Sequence, residues 1–245
     1  LVHGPPSSAN SGWPQGLCFY GPTGTSPYDS LPLTVDKRSS AGYSLHMSYT
    51  LEKAQADGGD SYTILYNRPL GYGEKDSIPR HEIVAAQTYE VPFGQGRKYG
   101  SGMNRAFDLL LGGWNLDAST IFYSGRPFTP NIGSFPSTAL RPDVGPGGRP
   151  DKGSGDPYAT NQNGDHWIVG GLGGPFVIPA NNQFGNYPIN SLRGPIFINQ
   201  NLGLGKKFRV TERTNFSLRA DGFNVFNHTN LGDPNTDITR PQVGQ

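Results

Sequence analysis

A single cysteine, Cys18, stands in the 245-residue chain, so a scaffold of intrachain disulfides is excluded. No apolar run approaches the roughly 18 to 20 residues of a membrane-spanning helix. Lysine and arginine number 20 against 19 acidic residues, a formal net charge of +1, and the basic residues are scattered. That leaves no case for nucleic acid, which needs clustered cations to neutralise phosphates. Charged residues make up only 16% of the chain, which sets it apart from the highly charged compositions of disorder. No secretory-signal pattern opens the sequence and residue 1 is not methionine, so the N-terminus reads as a cut end. These absences do not bear on a transmembrane β-strand, which needs only about 9 to 11 alternating residues.

Glycine (35) and proline (22) are abundant, and they punctuate a polar chain that still carries 12 tyrosines and 13 phenylalanines. Aromatic and β-branched residues favour strands, whereas Gly and Pro favour turns. In LTVDKRSSAGYSLHMSYTL, residues 33–51, the odd positions are mostly apolar and the even positions hold no large apolar side chain. Period-two alternation predicts a strand there. As one strand it would reach roughly 60 Å at about 3.3 Å per residue. HEIVAAQTYEVPFG (81–94) and GGWNLDASTIFYSGRPF (112–128) alternate likewise, and MNRAFDLLLGG between them predicts a short helix. Two further strands flank the turn TERTN. Residues 1–32 are loop-rich, and 129–200 form a long loop region of Gly, Pro, Asp and Asn. Such a stretch in an ordered protein is expected to be exposed and to make ligand or partner contacts.

The fold class expected is therefore all-β and antiparallel, with very little helix. Two architectures share the pattern. A soluble sandwich or barrel points the apolar face into a core, while an outer-membrane barrel points it at lipid and the polar face at a lumen. The length of the opening strand favours the second, because soluble strands usually run about 3 to 10 residues.

Several phrases occur together in order: KRSSAGYSLHMSYTLEKA, IPRHEIVAAQTYEVPFGQGRKYG, LLGGWNLDASTIFYSGRPFTP, LRGPIFINQNLGLGKKFRV and SLRADGFNVFNHTNLGDPN. Over about residues 28–245 they resemble the C-terminal barrel of TonB-dependent receptor-like outer-membrane proteins. The group they resemble is the Oar-like kind, with a carboxypeptidase-regulatory-like domain, of acidobacterial type. The resemblance implies a barrel of roughly 22 strands with an N-terminal plug. The chain, 1–245, would supply a partial barrel segment, with plug and closing strands outside it. It also implies a location in the cell outer membrane and a role in ligand uptake or surface binding. The implied partners are outer-membrane lipid, the remaining barrel and plug, an energy-transducing periplasmic protein, and a small-molecule or glycan ligand. The residues that carry it are Arg80 and His81; Pro92, Phe93 and Gly94; Gly113 and Trp114; Ser124, Gly125, Arg126 and Pro127; Asn190, Arg193, Gly194 and Pro195; and Arg219, Phe223, Asn224, Phe226, Asn227 and His228. All are structural signatures with no catalytic role attached. Trp114, Phe122 and Phe226 are candidates for an aromatic girdle.

Chemical motifs are few. No G-x-S-x-G elbow, no H-E-x-x-H and no phosphate loop occurs; GLGLGKK lacks the spacing of a P-loop. The five histidines are scattered, and His81 and Glu82 point to opposite faces of a strand. Asp117, Glu90 and Asp221 lie on polar faces without one emerging as acid and another as base. No catalytic residue is assigned and no cofactor is required, so the chain is expected not to be an enzyme; a hydrolase of an ester or glycan is the alternative. In DPNTD the weak calcium candidates are Asp233, Asn235 and Asp237, at alternate positions like the start of an EF-hand loop but without its glycine and distal glutamate. The oxygen-rich turn NQNGDH, with Asn161, Asn163 and Asp165, is a second such candidate. Trp13 and Trp167 are the ligand-binding candidates, as aromatic surfaces for a sugar. A soluble carbohydrate-binding or adhesive β-protein is the other reading.

Overall fold

The computed structural model of the chain describes residues 24–57, 68–133, 141–148, 172–180, 185–209 and 214–240. In chain order the elements are β1 (Tyr28–Ser40), β2 (Tyr43–Asp57), α1 (Arg68–Gly71), β3 (Tyr72–Glu74), β4 (His81–Glu90), α2 (Arg105–Leu111) and β5 (Trp114–Tyr123). There follow β6 (Pro127–Phe128), β7 (Asp143–Val144), β8 (Phe176–Val177), β9 (Leu192–Arg193), β10 (Phe197–Arg209) and β11 (Asn215–Gly222). The six long strands form an antiparallel meander, β1-β2-β4-β5-β10-β11, with β3 added beside β2. The all-β, antiparallel expectation holds, and the predicted short helix is α2.

The opening segment departs from expectation. Residues 33–51 are a hairpin, not one strand: the chain reverses at Ala41 and Gly42, whose φ values of 53° and 83° are those of the tight mirror-image turn favoured in hairpins. The alternation nevertheless runs through unbroken. Ser40 pairs with Tyr43, but after a bulge Lys37 pairs with Leu45 and Val35 with Met47, so odd residues oppose odd residues. Without the extra residue of the bulge the apolar set would have switched to even positions in one of the strands. Individual strands remain long, with 13 residues in β1, 15 in β2 and 13 in β10. The last of these starts at Phe197, inside the stretch that the composition alone marks as loop.

Register sorts the side chains into two faces. On one, Leu33, Tyr49, Ile83, Phe122 and Ile198 form a row of cross-strand neighbours, and Tyr43, Tyr89, Leu116, Leu204 and Ala220 form another. No second sheet covers this face among the described residues: Leu31, Leu33, Val35, Leu116, Leu202, Leu204, Phe216 and Leu218 all stand exposed. The opposite face carries the rows Asp36, His46, Ala86, Ser119 and Asn201, and Ser44, Thr88, Asp117, Gly203 and Asp221. It is polar except towards one end, where Val84, Ile121, Tyr123 and Phe197 also face that way.

The two ends of the sheet differ. At the turn end lie the β1–β2 hairpin turn, the β4–β5 connection that holds α2, and the end of β10 paired with the start of β11. At the loop end lie the connections β2–β4 and β5–β10 and the segment after β11. The buried apolar cluster of the described structure sits at the loop end, away from the long strands: Phe128, Ile132, Phe176, Tyr187 and Ile238, with Leu192 packed against it.

Candidate functional site

Two constructions stand out, one on the polar face and one at the loop end. The first is centred on Asp117. Thr88 Oγ1 donates to Asp117 Oδ1 at 2.9 Å, Asn115 Nδ2 donates to Oδ2 at 3.1 Å, and Arg219 Nη1 lies 3.3 Å from Oδ2. Arg219 Nε also donates to both oxygens of Asp221, at 2.8 and 3.0 Å. Three strands, β4, β5 and β11, thus contribute side chains to one network, although β10 lies between Arg219 and Asp117. Glycine makes the crossing possible. Gly203 faces both Asp117 and Asp221, and Gly205 faces both Asn115 and Arg219. A Cβ on Gly203 would stand 2.6 Å from Asp221 Oδ1 and 3.0 Å from Arg219 Nη2. The carboxylates that the sequence placed on the polar face are therefore brought together in part: Asp117 and Asp221 share Arg219, while Glu90 Oε2 accepts from Arg97 Nη1 at 2.8 Å. The Gly-x-Gly of LGLGKK was legible only as a failed phosphate loop; its signal is two small residues at successive positions of one strand face.

The second construction joins the loops. Glu74, at the end of β3, holds Arg80 through one carboxylate oxygen and Arg193 through the other. Asn190 Nδ2 donates to the Glu74 carbonyl at 2.6 Å, and Thr129 Oγ1 donates to Asn190 Oδ1 at 2.8 Å. Buried Arg141 donates through Nη1 to the carbonyls of Leu70 and Tyr187, at 2.7 and 3.0 Å. Asp143 and Asn186 exchange bonds with each other's segment: Val144 N donates to Asn186 Oδ1 and Asn186 N to Asp143 Oδ1. Asn131 ties in the C-terminal segment by accepting at its carbonyl from Ile238 N at 2.9 Å. The described parts of the long loop region are thus packed into a cap.

The resemblance-bearing residues hold backbone together. Ser124 Oγ accepts from His81 N at 3.0 Å, and the Tyr49 hydroxyl lies 2.9 Å from His81 Nδ1. Gly125 lies so close to the Gly194 carbonyl that a Cβ would clash. In FNVFNHTN, Asn224 and Asn227 adopt φ of 47° and 50°, and Asn230 brackets Ile198 as a strand partner would, accepting from its N–H and donating to its carbonyl. Among the girdle candidates, Trp114 joins Tyr43, Tyr89, Phe208 and Phe216 near the turn end of the apolar face. Phe122 lies on that face towards the loop end, and Phe226 projects from the turn after β11.

Of the predicted site residues, Trp13 and Trp167 lie outside the described residues, as does NQNGDH. The DPNTD oxygens serve their own backbone. Asn235 Oδ1 accepts from Asp237 N at 3.0 Å; Asp237 Oδ1 accepts from Thr239 N and Oγ1 at 3.0 and 2.6 Å, and its Oδ2 from Arg240 Nε at 2.9 Å. Asp233 is exposed beside them. The Thr239 hydroxyl foremost, with the Arg240 guanidinium, holds the Asp237 carboxyl below the usual aspartate range. Among the described residues no three His, Cys, Asp or Glu side chains are grouped to hold a metal ion.

No curated protein and no solved structure matches the chain. A family model described as Outer membrane beta barrel domain matches residues 9–245.

Proposed function

The chain belongs to the outer membrane beta barrel domain family and its setting is the outer membrane, and from that premise we propose that it forms part of the wall of a TonB-dependent receptor-like barrel of the Oar-like kind, which takes up or binds a ligand at the cell surface. The apolar face meets lipid and the polar face lines the lumen. Bacterial outer-membrane barrels place short turns in the periplasm and long loops outside. The turn end, with the tight β1–β2 turn, is then periplasmic and the cap is extracellular.

The observation that carries the reading is the cap. Long connections cost conformational entropy, yet their described parts pack about a buried cluster and an arginine–glutamate network on top of the sheet. That arrangement suits loops that hold a binding surface in shape. The ligand is a small molecule or glycan, recognised by the outer loops. The rest of the barrel, a plug and an energy-transducing periplasmic protein complete the assembly. The wall itself carries no catalytic step: the Asp117 network has its charges paired within it, which suits a lumen lining. Intact cells with and without the whole protein, given radiolabelled malto-oligosaccharides, test the uptake reading. Uptake that requires the protein and stops with a protonophore is expected. Uptake identical in the two strains, for this probe and for small-molecule probes tried in turn, overturns it.

A further inference from the structure

The β4–β5 connection does more than close the turn end. Its helix α2 begins at Asn104, which caps Phe107 N, and its C-terminus lies against the lipid-facing side of β5 and β10. The fastening is Lys206. This side chain occupies an outward position of β10, where a cation in hydrocarbon is costly at the midplane and less so near the interface. Lys206 is only 4% exposed. Its Nζ donates to the carbonyls of Leu110 and Gly112, at 2.9 and 2.8 Å, and lies 4.5 Å from the centre of the Trp114 ring and 5.1 Å from that of Phe208. Trp114 Nε1 donates to the same Leu110 carbonyl at 3.0 Å. The last carbonyls of the helix are thus satisfied by two side chains of the barrel wall.

This fastening leaves a groove of about 380 Å³ lined by Val91, Phe93, Leu111, Trp114 and Leu204. Its size lies within the roughly 300–1,000 Å³ of small-molecule sites. Four of the five lining side chains are hydrocarbon, and the one polar group, the Trp114 indole N–H, is engaged by the Leu110 carbonyl, so the groove offers an apolar shape. Leu204 and neighbouring Leu116 belong to the exposed rows of the apolar face, so the groove is continuous with the lipid-facing surface. Phe107 and Leu110 extend that apolar surface along α2, and Leu110 is 68% exposed. A groove with these walls at the membrane border fits an unbranched hydrocarbon chain.

We propose that the groove between α2 and the outer face of β5 and β10 is a binding site for one acyl chain of a membrane phospholipid, seated against Trp114. The proposal rests on the outer-membrane setting and its test separates the two. In the whole protein every other tryptophan, Trp13 and Trp167 among them, is replaced by phenylalanine, which leaves Trp114 as the tryptophan reporter. This variant is reconstituted in dioleoylphosphatidylcholine vesicles containing rising fractions of the same lipid brominated at mid-chain. A comparison reporter, Leu33→Trp in a background that also carries Trp114→Phe, samples bulk lipid on the same face. Quenching of Trp114 is expected to saturate at low brominated fraction, with an apparent affinity about tenfold above bulk lipid. Leu111→Glu, at an exposed helix position, is expected to return Trp114 to bulk behaviour. If Trp114 quenching only follows the brominated fraction, or Trp114 is unquenched while the Leu33→Trp reporter is quenched, the site is overturned and the lipid-facing assignment stands. If neither reporter is quenched, both fall.

Discussion

Ala41 holds a backbone conformation that an L-residue with a Cβ adopts at a cost of roughly 1–2 kcal/mol. Ala41→Gly is therefore expected to raise stability by about 1 kcal/mol, read as a higher urea midpoint in detergent. Gly42→Ala should lower it by at least as much, because its Cβ would meet the Glu90 carbonyl at 2.8 Å as well as the positive φ. A second prediction concerns acid. Asp237 titrates lower in the folded protein than in the unfolded chain, so the stability it adds is complete above the unfolded value and is lost as pH falls through the folded one. Protection of the Ile238 amide against hydrogen exchange should be level from neutral pH into mild acid, then decline. Asp237→Asn should flatten that profile. The sequence made DPNTD legible as an oxygen-rich turn. It could not distinguish oxygens that converge on a cation from oxygens turned on their own backbone, since both need the same residues at the same spacing.

Among the elements, β5 offers the sharpest contrast between the faces. Ala118 lies mid-strand on the apolar face, proposed to meet lipid, and its neighbour Ser119 lies on the polar face, proposed to line the lumen. Ala118→Arg is expected to cost about 2–4 kcal/mol in reversible unfolding from vesicles, and Ser119→Arg much less. Reversed costs would mean that the faces have been assigned the wrong way round. On β10, Gly203→Val should displace Arg219 and Asp221 and cost about 1–3 kcal/mol, and adding Arg219→Ala should recover part of that loss. The alternation that marks these strands was legible because burial on one face writes it into every second residue. The hairpin within 33–51 was not legible, because the bulge preserves parity across the turn and Ala41-Gly42 lacks the Asn-Gly or Asp-Gly of a strong hairpin signal. The start of β10 was obscured for another reason: Gln200 stands on its apolar face.

For the whole molecule, the cap depends on contacts that periodicity does not record. Arg193 and Glu74 are 119 positions apart and Thr129 and Asn190 are 61 apart. Phrases around Arg80, Asn190 and Arg193 were visible as family signatures, but what they touch was not. Glu74→Gln is expected to loosen the cap by about 1.5–3 kcal/mol while the sheet persists, seen as faster proteolysis within residues 129–200 in intact vesicles. Loss of the sheet together with the cap would show that the two fold as one unit. The placement of the cap also sets an order of events. Every neighbour in the long sheet is the next long strand along the chain, so the pairs can close one after another by short steps. The longest step is the junction of β5 with β10, where residues 124–196, which supply most of the buried cap cluster, intervene. Closing that gap costs roughly 3 kcal/mol more in chain entropy than closing a tight hairpin. The four strands before it and the two-stranded hairpin after it are therefore expected to assemble as separate blocks, and the rate at which they join should track how early the cap condenses.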